Sequence, residues 1–253
     1  GQVNTVTTAV PFLMIGPDSR AGAMGDAGVA TSPDANSIHW NPAKLAFIDK
    51  KFGMSLSYTP WLRNLVNDIN LAYLTGYYKV GKDQTLAASL KYFSLGDITF
   101  TDITGTETGT FKPHESAFDL AYARKLSENF SGGLAVRYIS SDLTNGQTTT
   151  SGTTKVGRSV AADISVFYNN EKIEIGDKKS VVNVGLNISN IGAKISYTET
   201  AQRDFIPINM RLGAGLKILA DEYNTITFTV EAGKLLTPTA PLYAYDSTGA
   251  FIY

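Results

Sequence analysis

An all-β chain, an antiparallel sheet curled into a transmembrane outer-membrane β-barrel, is the fold this sequence predicts, and three observations carry the prediction. Apolar residues alternate with small or polar ones in runs of about ten residues, the length a tilted membrane strand needs; globular strands average about five or six. Tyr58, Tyr77, Tyr92, Tyr122, Tyr138 and Tyr168 sit near the ends of these runs, all assigned to the apolar face, as a girdle at a lipid-water boundary requires. The connections are short at Gly81 to Gln84, Leu126 to Asn129 and Asp221 to Tyr223. They are long at Gly96 to Glu115, Ser141 to Arg158 and Asn190 to Ile206. Short turns on one side and long loops on the other is the asymmetry of outer-membrane barrels. Only Asn169 to Ser180 blurs the rule.

Composition narrows the function classes. The 253 residues are 43% hydrophobic and 18% charged, and no run approaches the length of about 18 apolar residues that a spanning helix needs. Lys plus Arg number 22 against 23 Asp plus Glu, a net charge of -1, which offers no field to gather phosphates, so nucleic acid is not an expected partner. Without cysteine there is no disulfide, thiolate metal site or acylated N-terminal cysteine. The start, Gly1-Gln2-Val3-Asn4, has neither a basic n-region nor an apolar h-region, and is read as an exported chain whose signal has been removed.

Residues 1–50 form a first unit, expected to be a plug. Pro17 to Ala30 and Ser32 to Ala46 are rich in turn formers and small residues, suited to close packing inside a narrow lumen. Glycines 22, 25 and 28 are not read as a nucleotide loop, because no strand precedes them and no clear helix start follows. Residues 51–253 form the second unit, the barrel. Its first run sets Phe52, Met54, Leu56 and Tyr58 against Gly53, Ser55, Ser57 and Thr59. The second assigns Ile69, Leu71, Tyr73 and Tyr77 to the lipid face. The next four are Leu86 to Tyr92, Phe118 to Tyr122, Leu134 to Tyr138 and Val160 to Tyr168. Val182 to Ile188, Ile208 to Ile218 and Ile226 to Val230 complete the nine. The opposite faces are small and polar and carry both signs of charge, including Lys91, Asp119, Arg137, Asp163, Arg211 and Glu231. Nine is odd, whereas single-chain bacterial barrels close with even numbers. Further strands are therefore expected after Ala250-Phe251-Ile252-Tyr253.

Catalysis needs positioned acids, bases or nucleophiles, and the only histidines, His39 and His114, have no partner at metal-ligand or triad spacing. No catalytic residue, metal or cofactor is expected. Asp119, Asp163, Arg137 and Arg211 share the lumen parity, and mutual pairing, or pairing with the plug, is preferred to a pore-lining charge ladder. Asp18 and Arg20 are expected to pair with the same wall. The loops Thr101 to Thr110 and Thr144 to Thr154, rich in Thr and Gly, are expected to be flexible, and Phe100, Ile103 and Phe111 stand out there as contact candidates.

The N-terminal unit also carries a resemblance. Pro17 to Ala30, with Asp18, Arg20, Gly22 and Gly25, and Ser32 to Lys44, with Trp40-Asn41-Pro42-Ala43, resemble the N-terminal region of the PorV family, outer-membrane components of the Bacteroidetes type IX secretion system. The Asn41-Pro42-Ala43 element is more widely similar to the plug of the long-chain fatty-acid transporter superfamily. The resemblance implies a barrel of about fourteen strands around that plug. It implies no enzyme activity. The partners it implies are a giant translocon protein (SprA/Sov-like), the C-terminal domains of secreted cargo, and surface attachment components, with outer-membrane lipid around the wall. A channel for hydrophobic small molecules, like the fatty-acid transporters, is the second reading, and a soluble β enzyme the third.

Overall fold

The computed structural model describes residues 7–60, 68–101, 104–144, 148–149, 152–198, 203–238, 244–245 and 251–252. Nine antiparallel strands form one curled sheet in chain order: β1 (Phe52–Pro60), β2 (Ile69–Val80), β3 (Gln84–Leu95), β4 (His114–Lys125), β5 (Phe130–Asp142), β6 (Gly157–Ile175), β7 (Lys178–Gly192), β8 (Asn209–Leu219) and β9 (Thr225–Leu235). Each strand pairs with its sequence neighbour, so the sheet is an up-and-down meander. Among the described residues neither β1 nor β9 has a further strand on its free edge.

Alternation sorts the side chains into a convex and a concave face. Leu86 and Leu90 on β3, Phe118 and Leu120 on β4, Leu134 and Val136 on β5, and Val160 and Ile164 on β6 are all exposed on the convex face. Their neighbours Ala87, Ser89, Asp119, Ala121, Ala135, Arg137 and Asp163 are buried. The faces predicted for β2 are reversed. Leu71 and Tyr73 are each 1% exposed and Tyr77 is 8%, whereas Leu74 is 41% and Tyr78 50% exposed. Both parities of β2 are apolar, so periodicity alone does not choose between them. The inward set packs on the N-terminal segment and makes part of the interior dry.

The convex tyrosines therefore form two rows. Tyr58, Tyr92 and Tyr138 lie toward the long connections; Tyr78, Tyr122 and Tyr168 lie toward the short ones. Register supports the rows: Tyr58 and Tyr92 both face Ala72, and Tyr138 faces Phe118 and Val160. From Tyr138 to Phe130 along β5 is eight residues, roughly 26 Å of strand. With strand tilt, that matches the height of about 25 Å of an apolar band.

The connection at Asn169 to Ser180 is not an exception. β6 and β7 extend past the rest of the sheet and meet at Gly176-Asp177, with Gly176 at φ 62°, so the turn itself is short and lies on the short-turn side. On the other side, the segment expected to be a flexible loop at Thr101 to Thr110 contains a small hairpin, Ile98–Thr101 with Glu107–Phe111, turning near Gly105 at φ 83°. Thr and Phe favour extended backbone, which is why a loop-like composition still pairs. Residues 145–147 and 150–151 of the second expected loop lie outside the described residues.

Residues 10–48 lie on the concave side. They begin with a 3₁₀ turn, Pro11–Met14, continue through α1 (Ser19–Ala23) and α2 (Ser37–Trp40), and end in a second 3₁₀ turn, Pro42–Phe47. Two apolar clusters hold them. Toward the long connections, Val10, Phe12 and Leu13 pack with Leu71, Phe93, Ile139, Ile195 and Ile206. Toward the short turns, Ile38, Leu45, Ala46 and Ile48 pack with Tyr73, Tyr77, Ala87, Ala121 and Ala135.

Candidate functional site

The concave face carries polar groups, and buried polar groups must find partners. Those of the wall find them on the N-terminal segment. The Trp40-Asn41-Pro42-Ala43 stretch is the centre of this arrangement. Pro42 starts the second 3₁₀ turn, where its missing N–H costs nothing. The Asn41 side-chain oxygen caps that turn by accepting from the Ala43 N–H at 3.0 Å, while its amide donates to the carbonyls of Val29 and Val166, each at 3.1 Å. One side chain thus ties two parts of the segment to β6. Ser165 also accepts from the Ala43 N–H at 3.0 Å, and Ser131 donates to the Ala43 carbonyl at 2.7 Å. Ala43 is fully buried, and Gly133 has no room for a side chain, because a Cβ there would meet the Ala43 backbone.

Trp40 is gripped on every side. Its indole N–H donates to Asp18 at 2.7 Å, its carbonyl accepts from Asn187 at 3.0 Å, and the Arg211 guanidinium lies 4.9 Å from its ring centroid. Gly28 passes so close to the ring that a Cβ there would overlap it. Asp18 and Arg20 do not reach the wall. Asp18 also caps α1 by accepting from the Ala21 N–H at 2.9 Å, and Arg20 pairs with Asp34 at 2.6 Å, so both brace the segment from within. Gly25 turns the chain at φ 70°, while Gly22 lies in α1 with open space around it.

Thr75, Lys79 and Thr85, which the sequence did not single out, and Lys91, placed by sequence on the inward face, add to the attachment. Lys91 donates to the Ile15 carbonyl at 2.8 Å, Lys79 to that of Ile48 at 2.7 Å, Thr85 to that of Leu45 at 2.9 Å and Thr75 to that of Ala35 at 3.0 Å. Glu231 accepts from the N–H groups of Gly28 and Val29 at 2.8 and 2.9 Å. Lys44 donates inside the segment, to Gly28 and Thr31, and burial pushes its ammonium down to about 8. The signal that sequence offered was a set of strand glycines, which mark close approach of another backbone. Gly185 lies against the Val29 carbonyl, Gly215 against that of Ala30, and Gly213 against the Val29 side chain.

The lumen-parity charges pair as expected. Arg137 binds Asp119 at 2.5 Å and Asp163 at 3.2 Å and donates to the Asn190 side-chain oxygen. Ser89 donates to Asp119 at 2.7 Å and the Asn190 N–H to Asp163 at 2.8 Å. Arg211 pairs with Glu231 at 2.8 Å and donates to the Asp26 carbonyl at 3.0 Å. The charges are therefore joined to one another and to the segment rather than arrayed along a pore.

His39 is half-buried and edge-on against Trp40, with ring centroids 4.8 Å apart, and His114 stacks on Tyr92 at 5.6 Å. Among the described residues no three His, Cys, Asp or Glu side chains gather as a metal site. Of the loop candidates, Phe111 is half-buried at the end of the small hairpin; Ile103 and the Phe100 side chain lie outside the described residues.

Comparison with curated proteins finds no match. The family model described as type IX secretion system protein PorV, in contrast, matches residues 1–242, nearly the whole chain and far more than the N-terminal stretch that first carried the likeness. The chain belongs to the PorV family of type IX secretion system proteins.

Proposed function

We propose that this chain forms the plug (residues 1–50) and much of the wall (residues 51–253) of an outer-membrane barrel that works as a non-catalytic binding component of type IX secretion. It docks on the translocon, receives secreted proteins by their C-terminal signal domain, and passes them to the surface attachment machinery. The observation that carries the reading is the occupied interior: residues 10–48 fill the concave face, hydrogen-bonded to at least six of its strands. A filled interior leaves recognition to the loops and the outer surface, where rigid scaffolds usually present it.

The convex face supports the membrane assignment. Its apolar residues are exposed over most of the sheet, between two rows of tyrosine. A water-facing sheet would carry polar residues there. The transporter-like reading calls for a deep apolar pocket between plug and wall. Cavities at that boundary are instead bordered by charged side chains: one, of about 470 Å³, by Asp26, Arg211 and Glu231, and another, of about 480 Å³, by Asp34, Asp49, Lys50, Glu171 and Lys217.

Affinity purification from the native outer membrane in mild detergent, with copurifying proteins identified by mass spectrometry, tests the proposal. A very large membrane translocon and cargo with C-terminal signal domains are the expected partners. A lone barrel carrying bound lipid would contradict it.

A further inference from the structure

On the convex face, where β5, β6 and β7 meet the long connections, two hollows run into each other. The upper, of about 760 Å³, is lined by four cations, Lys155, Arg158, Lys194 and Arg203, and by no described carboxylate. All four are exposed, and among the described residues none forms an ion pair. Lys194 is held over the Phe205 ring at 3.9 Å, which fixes its charge without neutralising it. The lower hollow, of about 540 Å³, is an apolar groove over Ala162 and Gly192, flanked by Leu120, Val136 and Ile191. Tyr138, Val160 and Ala193 line both.

The depth of this pair is fixed by register. Arg158 shares the outward parity of Val160, two residues farther toward the long loops, and Val160 faces Tyr138 of the upper tyrosine row. The cations therefore stand just above the apolar band and the groove lies within it. Unpaired cations above contiguous apolar surface match a ligand with an anionic head and a hydrocarbon tail, and basic clusters at a membrane boundary bind lipid phosphates. The long-loop side of such a barrel is the outer one.

We propose that this composite hollow is a binding site for the phosphorylated, multiply acylated glycolipid of the outer leaflet. Its phosphate sits among Lys155, Arg158, Lys194 and Arg203, and one acyl chain lies in the groove over Ala162 and Gly192. The site rests on the membrane reading given above and goes beyond it, because a wall that merely contacted lipid would need no cluster of four cations opening onto an apolar groove.

The test is native mass spectrometry of the protein extracted from outer membrane and titrated with lipid A, dephosphorylated lipid A and phosphatidylglycerol. The wild type is expected to hold lipid A in preference to both others. Replacing the four cations with alanine is expected to weaken that binding by about fivefold per cation. Ala162→Leu, which fills the groove and keeps the charges, weakens it as well. Lys82→Ala, on a short turn, leaves it unchanged. Equal binding by the four-alanine variant, or by dephosphorylated lipid A, would overturn the site. Equal binding of phosphatidylglycerol would overturn the glycolipid assignment. Recovery of every variant in the outer-membrane fraction separates loss of the site from loss of the barrel; if the wild type were missing from that fraction, the membrane reading would fall and the site with it.

Discussion

At the scale of single residues, Arg137 is the most consequential side chain of the wall. Its guanidinium is 5% exposed and neutralises two buried carboxylates, Asp119 and Asp163. Removing one partner of such a group strands the others in a medium that solvates charge poorly. Arg137→Met is expected to cost about 3–5 kcal/mol of stability, read from the denaturant midpoint of the barrel. Restoring balance with Asp119→Asn and Asp163→Asn on the same chain is expected to recover part of the loss. Gly185 makes a second prediction. A Cβ at this position meets the Val29 carbonyl and the Asn41 side chain. Gly185→Ala is expected to cost roughly 1–3 kcal/mol, and to loosen residues 10–48 before the sheet, a sequence visible by hydrogen exchange. Gly176→Ala, also in a strand-rich region but with open space around it, is expected to strain only the local turn, where φ is 62°.

At the scale of elements, the turn between β8 and β9 shows how a short connection is built. The Asp221 carboxylate accepts from the Asn224 side chain and from the Tyr223 and Asn224 N–H groups at 2.8 to 2.9 Å, bonds that hold it below the usual carboxylate range. A depressed folded value means that its contribution is present above the unfolded value of about 3.9 and is lost as pH falls through the folded one. Asp221→Asn is therefore expected to flatten the acid dependence of this turn's hydrogen-exchange protection, leaving its protection near neutral pH reduced but pH-independent. The segment Pro42–Phe47 depends in the same local way on Asn41. Asn41→Ala removes a cap and two carbonyl bonds, and about 0.5–2 kcal/mol is expected from the cap alone.

The elements also show what sequence makes legible. Strands with one polar face, such as β5 with Leu134, Val136 and Tyr138 against Ala135 and Arg137, were assigned their outward side correctly, because only one parity was apolar. β2 was reversed because both of its parities are apolar, and the choice is made by His39, Ala35 and the packed segment, which are distant in sequence. The Trp40-Asn41-Pro42-Ala43 stretch stood out as a motif, but its partners Ser131, Ser165 and Asn187 did not, since a serine or asparagine on a lumen-facing parity looks the same whether it meets water or backbone. Asp18 and Arg20 were expected to reach the wall, and the structure turns them inward on Trp40 and Asp34, contacts within the segment that charge pattern alone does not distinguish.

At the scale of the whole molecule, one sheet turns an apolar face outward, while its inward face, polar except for the dry patches around Leu71, Tyr73, Phe93 and Ile139, is consumed by the N-terminal segment. The wall is inverted relative to a soluble sandwich, and the third reading of the sequence, a soluble enzyme, required the opposite sorting. Site-directed spin labelling decides the point directly, and the absence of native cysteine makes each label unique. Labels placed singly at Leu56, Leu90, Leu134, Ile164 and Phe228 in the reconstituted protein are expected to be accessible to oxygen and shielded from a water-soluble nickel chelate, with labels at the turns Lys82 and Asp177 showing the reverse. Chelate accessibility at the five sheet positions equal to that at the turns would contradict a lipid-facing wall, and with it the membrane barrel on which the secretion role depends.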